Sequence, residues 1–215
     1  MYQCVIFDLD GTLLNTLEDL AAAGNYALSR LGHPLHDPDQ YRQFVGNGIP
    51  KLIEWMLPPG SGDRDAAHRL FSDYYADHKA DCTRPYDGIP ALLERLRNKG
   101  VKTAVVTNKE HDFAEALIRG WFRDTVDVIY GSRPGVARKP DPVLVHAAMQ
   151  ELGVEPEHTL YVGDSSVDIQ TARNAGVESC GVLWGFRSEQ ELKEAGAGRL
   201  ARTAEELYKI IVSSV

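Results

Sequence analysis

VIFDLDGTLL, residues 5–14, is an apolar run interrupted by two aspartates spaced two apart, Asp8 and Asp10. A carboxylate inside such a run costs several kcal/mol to bury unless something pairs with it. A short apolar run closed by a glycine turn reads as a buried strand, on which residues i and i+2 point to the same side. Asp8 and Asp10 are therefore expected together at the carboxyl end of that strand, where open α/β sheets place their ligands. Gly11 lets the backbone turn tightly there, and the Thr12 hydroxyl is expected to hold the turn.

Working outward, the first strand reads as CVIFDLD (4–10), and four further runs have the same buried character. They are VKTAVVTN (101–108), TVDVIYGS (125–132), TLYVGD (159–164) and ESCGVLWG (178–185). Helical patterns separate them. IPALLERLRNKG (89–100) puts Leu92, Leu93 and Leu96 on one face and stops at Gly100. DPVLVHAAMQELG (141–153) opens with Asp141 as an expected N-cap and Pro142 at the first helical position. This alternation predicts an α/β fold, a doubly wound, mostly parallel sheet covered by helices on both faces.

One region breaks the alternation. Residues 16–82 contain helical segments and turns such as GHPLHDPD (32–39), GNGIP (46–50) and PPGSGD (58–63), but no convincing strand. A four-helix insertion is expected, so that residues 1–15 and 83–215 form the core and 16–82 a helical cap. Thr16 followed by Asp19 resembles a capping box opening its first helix. The two connections, near residues 14–16 and 82–86, are expected to lie side by side and to hinge.

Three other strand ends carry chemistry. AVVTN leaves Thr107 and Asn108 as donors just before a helix, a natural seat for an anion. RKPDP presents Lys139. YVGDSSVD delivers Asp164 at a strand end and Asp168 about one helical turn later on the same face. Each has a plain structural reading as well: helix caps for Thr107 and Ser165 or Ser166, a solvated cation for Lys139, a loop residue for Asp164. All four motifs in this order, each at an expected strand end, favour the functional reading.

Composition narrows the partners. Lys and Arg total 23 against 31 for Asp and Glu, a net charge of −8, which argues against general nucleic-acid binding. No apolar run approaches the roughly 20 residues a membrane helix needs. Cys4, Cys82 and Cys180 are odd in number and scattered, and the N-terminus shows no signal-peptide pattern, so a reducing, cytoplasmic setting is expected. Nothing in the sequence speaks to oligomeric state. The seven histidines show no metal-binding spacing, and GNGIPK lacks the full spacing of a nucleotide P-loop.

Asp8-Leu9-Asp10-Gly11-Thr12, Thr107-Asn108, Lys139-Pro140 and Gly163-Asp164 through Asp168 resemble the four motifs of the haloacid dehalogenase-like superfamily. That resemblance covers nearly the whole chain and implies a Rossmann-like core with a helical cap inserted after the first strand. Closer in, Phe44-Val45-Gly46-Asn47-Gly48 and Leu183-Trp184-Gly185-Phe186-Arg187 are similar to the phosphoglycolate phosphatase branch. Asn15 departs from it, standing where many relatives carry an aspartate, with little effect on catalysis expected.

The resemblance implies a Mg²⁺-dependent phosphatase acting on a small anionic phosphorylated metabolite. Asp8, the Asp10 backbone carbonyl and Asp164 are the implied metal ligands, with hard oxygen donors suited to Mg²⁺. Asp8 is the implied nucleophile, forming an aspartyl-phosphate, and Asp10 the general acid and base. Thr107, Asn108 and Lys139 are the implied phosphate-binding residues, while Asp168 and Thr12 support them from behind. The related dehalogenases lack an acid two residues after the nucleophile, since halide needs no proton; Asp10 therefore favours phosphoryl chemistry.

In the cap, Gly46-Asn47-Gly48 reads as a backbone nest for a substrate carboxylate with Lys51 adding charge, or equally as a flexible turn with a solvated lysine. The first reading fits 2-phosphoglycolate. Three rivals remain. Gly48-Ile-Pro-Lys51 resembles the lysine stretch of phosphonoacetaldehyde hydrolases, where that lysine forms a Schiff base, although the histidine found soon after it there is missing from LIEWML (52–57). A sugar-phosphate mutase and a catalytically idle phosphate-binding module are the others.

Overall fold

The first strand explains the whole layering. In a computed structural model that describes residues 1–213, Cys4–Phe7 form β1, and every side chain in it is fully buried. Val5 and Phe7 point to one face of the sheet and Cys4 and Ile6 to the other, each pair joining a separate apolar cluster. A strand buried on both faces must be apolar throughout, which is why the sequence reads as an unbroken run. Each such side chain contributes about 1.5–3 kcal/mol by leaving water.

After β1 the chain makes a short strand, β2 (Leu14–Asn15), then α1 (Leu17–Arg30), α2 (Tyr41–Phe44), α3 (Ile49–Met56) and α4 (Arg64–His78). It returns through β3 (Arg84–Pro85) and continues as α5 (Ile89–Asn98), β4 (Lys102–Glu110), α6 (His111–Phe122), β5 (Val128–Ser132) and α7 (Val143–Leu152). The remainder is β6 (Thr159–Gly163), α8 (Ser166–Ala175), β7 (Glu178–Val182), α9 (Glu189–Glu194), β8 (Arg199–Ala201) and α10 (Ala204–Val212). The main sheet is six-stranded in the order β5-β4-β1-β6-β7-β8, and every pair in it is parallel. Helices α5, α6 and α10 cover the face of Val5 and Phe7, and α7 and α8 cover that of Cys4 and Ile6. The expected doubly wound α/β fold is therefore observed.

Strand order reverses around β1, with β4 on one side and β6 on the other. The carboxyl ends of these three strands adjoin at the centre of the sheet, a topological switch point.

Helices α1–α4 have an apolar cluster of their own, built from Leu20, Tyr41, Leu52, Ile53, Phe71 and Tyr75 among others. Their two connections do lie side by side, because β2 and β3 pair antiparallel with Asn15 opposite Arg84.

The expected capping box at Thr16 does not form. Thr16 makes no side-chain cap; its hydroxyl donates to Asp10 Oδ1 at 2.8 Å. Asp19 instead accepts from the backbone N–H groups of Cys82 and Thr83, the nearest at 2.8 Å, fastening the start of α1 to the returning chain. Long-range partners thus take the groups that local spacing assigned to each other. Helix α7 starts one residue later than expected, with Pro142 at the cap position, but the Asp141 carboxylate still accepts from Val143 N–H at 2.9 Å. Strand β5 starts at Val128 because the Thr125 carbonyl and the Asp127 carboxylate are engaged by Thr103.

Candidate active site

At the end of β1 the Asp8 N–H still extends the ladder, donating to the Val162 carbonyl at 2.9 Å. The chain then folds back sharply. The Leu9 carbonyl accepts from the N–H groups of Thr12, Leu13 and Leu14, and Gly11 takes a φ of 83°. Glycine is required there twice over, since a Cβ would also sit 2.3 Å from Asp164 Oδ2. Thr12 does not hold this turn through its hydroxyl, which faces Asp164 Oδ1 at 3.4 Å, while the Thr12 carbonyl accepts from the Trp184 indole at 3.0 Å.

The turn brings distant carboxylates together. Oxygens of Asp8, Asp164 and Asp168 all lie within 4.8 Å of one another, and the three residues are buried. Burial is the main reason that Asp8 is pushed up to about 6 and Asp164 to about 8, with repulsion from Asp168 adding to it in both cases. Backbone N–H donation from Phe186 to Asp164 Oδ2, at 2.7 Å, works in the opposite direction.

Lys139 is buried against this cluster. Its ammonium is 2.9 Å from Asp8 Oδ1 and 2.7 Å from Asp168 Oδ1, and it donates to the Tyr161 hydroxyl at 3.1 Å. The Asp8 contact is an ion pair, but Asp8 Oδ1 accepts no hydrogen bond of good angle among the described residues. Asp168 in turn accepts from the Ser165 N–H and hydroxyl at 3.0 and 2.6 Å, closing the first turn of α8.

Thr107 and Asn108 do not stand just before a helix, because β4 runs on to Glu110. Thr107 is buried at the site with its hydroxyl oxygen accepting from Lys109 N–H at 3.3 Å. The Asn108 amide donates to the Gly46 and Lys139 carbonyls and accepts from Lys139 N–H at 2.9 Å. It thereby ties the segments bearing Gly46 and Lys139 to the end of β4.

Asp10 faces the helical segment. Its carboxylate receives the Thr16 hydroxyl and the Lys109 ammonium, the latter at 3.0 and 3.2 Å from its two oxygens. Sequence reasoning missed Lys109, although Thr107 and Lys109 are two apart on one strand and share a face by the same rule that pairs Asp8 with Asp10. Tyr161 was likewise missed, and Phe186 was named only within a stretch of resemblance, without its contact to Asp164.

Between Asp8 and helices α1 and α3 lies a cavity with about 20 Å³ open to the centres of water molecules, room for one or two. Asp8, Asp10, Thr107, Asn108 and Lys109 line it from the core, and Leu20, Val45, Gly46, Gly48, Ile49 and Leu52 from the other side. Gly46 and Gly48 are brought to the site; Asn47 and Lys51 are not. Lys51 is half exposed and pairs with Glu54 at 3.2 Å.

Among the described residues no helix is long and apolar enough to cross a membrane. Residues 5–182 match the family model described as haloacid dehalogenase-like hydrolase. A phosphoglycolate phosphatase of Vibrio parahaemolyticus is 33% identical over 220 residues, covering 98% of this chain and 96% of its own. An N-acetylmuramic acid 6-phosphate phosphatase of Pseudomonas aeruginosa is 33% identical over 187 residues, covering 86% and 83%. A crystal structure from Lactobacillus delbrueckii subsp. bulgaricus, named a phosphoglycolate phosphatase by inference, superposes with a TM-score of 0.92 at 34% identity over 99% of both chains. With motifs at the ends of β1, β4 and β6, and with Lys139 coming from the loop between β5 and α7 and not from a strand end as expected, all gathered at one switch point, this chain belongs to the haloacid dehalogenase-like hydrolase family.

Proposed function

We propose that this protein is a Mg²⁺-dependent phosphomonoesterase acting on a small phosphorylated metabolite, 2-phosphoglycolate first among them, through an aspartyl-phosphate. The observation that carries the reading is the buried convergence of Asp8, Asp164 and Asp168 on Lys139. Phosphatase relatives matched over most of the chain support it.

The donor set suits a hard divalent cation. Four carboxylates, Asp8, Asp10, Asp164 and Asp168, face two ammonium groups, and the buried Asp8 Oδ1, though ion-paired with Lys139, accepts no well-aligned hydrogen bond among the described residues. Asp8, the Asp10 carbonyl and Asp164 would hold Mg²⁺. When bound, the ion supplies the positive charge that lets a phosphate dianion approach these acids. Asp8 attacks phosphorus, with Lys139 and the Thr107 hydroxyl gripping the non-bridging oxygens. Asp10 delivers a proton to the departing alkoxide, then takes one from the water that frees Asp8. Asp168 and Tyr161 keep the Lys139 ammonium aimed at Asp8.

Residues 16–82 serve as the cap in this reading. The cavity is too small for a metabolite, so admission requires α1–α4 to swing away and return, with β2 and β3 as the natural hinge. The rival use of Lys51 as a Schiff-base lysine is disfavoured by its exposed position away from the cavity. Three free thiols among the described residues suit a cytoplasmic setting.

The test is phosphate release from a panel of small phosphorylated metabolites, with Mg²⁺ or with chelator, by wild type and Asp8→Asn. The expected result is Mg²⁺-dependent release, highest in kcat/KM for 2-phosphoglycolate, and a loss of at least about 1000-fold in the variant. Release that ignores both the chelator and the substitution overturns the proposal.

A further inference from the structure

The core face of the cavity holds one cation that the reaction above does not use. Lys109 is buried, with 3% of its side chain exposed, yet it lines the cavity beside Asp8, Asp10 and Thr107. Among the described residues it is the one cationic side chain lining that space; the opposite wall is Leu20, Val45, Ile49 and Leu52 with two glycines. An ammonium group is expensive to bury without an anion, and Lys109 already grips one: both oxygens of Asp10, at 3.0 and 3.2 Å. Behind it stands the Tyr75 ring, whose centroid is 4.7 Å from Nζ. The hydroxyl of that ring is buried and has no hydrogen-bond partner among the described residues.

We propose that Lys109 is the specificity-determining cation of this site and receives a carboxylate, or another small anionic group, at the end of the substrate remote from phosphorus. This rests on the phosphomonoesterase reading and deepens it. A substrate anion entering the cavity meets apolar side chains on one wall and acids on the other, so Lys109 is where its charge is compensated. In the closed state without substrate, Asp10 occupies the ammonium. A substrate carboxylate displaces it, which frees the Asp10 side chain to turn toward the leaving oxygen. Esters that lack the second anion leave Lys109 on Asp10. The chemical class selected is thus a two- or three-carbon phosphomonoester bearing a second negative charge, and Lys109 takes the part that one of the two sequence readings gave to Lys51.

The experiment compares 2-phosphoglycolate with 2-hydroxyethyl phosphate, which has nearly the same shape but no carboxylate. For Lys109→Met, kcat/KM on the carboxylated ester is expected to fall at least 30-fold further than on the neutral one. Calorimetric binding of 2-phosphoglycolate to Asp8→Asn is expected to weaken at least 10-fold on adding Lys109→Met. Equal losses on both esters would assign Lys109 to positioning Asp10 and overturn the proposal. If Lys109→Met does not fold, the wild type decides: a preference of at least 10-fold for the carboxylated ester supports the proposal, and no preference overturns it. Wild type inactive on every phosphomonoester would instead overturn the underlying reading, a result distinct from activity without selectivity.

Discussion

The Phe186 N–H donates to Asp164 Oδ2 at 2.7 Å, while the Phe186 ring packs against the apolar cluster of α1–α4. One residue therefore touches the acidic centre through its main chain and the helical segment through its side chain. The approach needs a glycine beside it. A Cβ on Gly185 would lie 2.3 Å from Asp164 Cβ and 2.5 Å from the Gly11 carbonyl oxygen, and neither neighbour can step aside without moving the turn after β1.

Gly185→Ala is accordingly expected to displace Asp164 although residue 185 supplies no chemistry. Overpacking of this kind costs about 1–3 kcal/mol in stability. The sharper readout is the cation response: a rise in melting temperature with Mg²⁺ in wild type should be at least halved in the variant. An undiminished rise would show that the acidic cluster tolerates a shift of this loop.

The Lys139–Asp168 pair, 2.7 Å apart with both side chains essentially inaccessible, gives a second prediction. Removing one member strands the other charge in the interior, which costs about 3–5 kcal/mol. Asp168→Ala also strips the Ser165 N–H and hydroxyl of their acceptor at the start of α8. Urea unfolding should show a midpoint lowered to match that loss, with the slope unchanged. A loss below about 1 kcal/mol would mean that Lys139 finds full compensation in Asp8.

The acids of the centre set a pH dependence whose sign is fixed. Asp8, raised to about 6, and Asp164, raised to about 8, both bind protons more tightly folded than unfolded, where the ordinary value is 3.8. Their contribution to stability is fully present below about pH 4 and is lost as pH rises through about 6 and then about 8. Cation-free protein should melt progressively lower from pH 5 to pH 9, and the stabilisation by Mg²⁺ should grow over the same interval. Melting curves in chelator and in Mg²⁺ at three pH values test this. A Mg²⁺ effect larger at pH 5 than at pH 9 contradicts it.

Lys51 provides the contrast to Lys109. Helix α3 buries Ile49, Leu52, Ile53 and Met56, a stripe of 3.6-residue period from which Lys51 is excluded. Its pair with Glu54 is exposed and worth at most about 1 kcal/mol. Lys51→Ala should therefore leave the ratio of kcat/KM between 2-phosphoglycolate and 2-hydroxyethyl phosphate within about twofold of wild type, a factor worth only about 0.4 kcal/mol. A collapse of that ratio would return the cap contact to Lys51.

The same stripe is legible in IPKLIEWM, where the helical period by itself turns Lys51 away from the apolar face. What the sequence did disclose was local: unbroken apolar runs for strands buried on both faces, and polar motifs at the ends of β1, β4 and β6. What it withheld depended on partners far along the chain. Thr16 and Asp19 have the spacing of a cap, yet Asp10, Cys82 and Thr83 claim them. β8 is three residues long and only partly buried, too short for an alternation to register. Lys109 escaped because the apolar run that marks β4 gives out at Asn108, one residue before the side chain that shares the Thr107 face.

Arg187 carries the last prediction. Its guanidinium donates to the Arg42 carbonyl, to that of Gln43 at 3.4 Å and to that of Val45 at 2.8 Å, all at the carboxyl end of α2. Helix ends leave such carbonyls without partners, and a cation there also suits the helix dipole. Arg187 follows Phe186 directly, so the loop that contacts Asp164 also grips the segment bearing Gly46 and Gly48 on the cavity wall. Arg187→Ala should loosen that wall while leaving the sheet intact. Amide hydrogen exchange is then expected to quicken at least 10-fold for residues 42–49, with protection in β1 and β4 at the wild-type level, and KM for 2-phosphoglycolate should rise more than kcat falls. Uniform acceleration across both regions would mean that Arg187 supports global stability and has no particular hold on the helical segment, because a local latch can only expose the amides it covers.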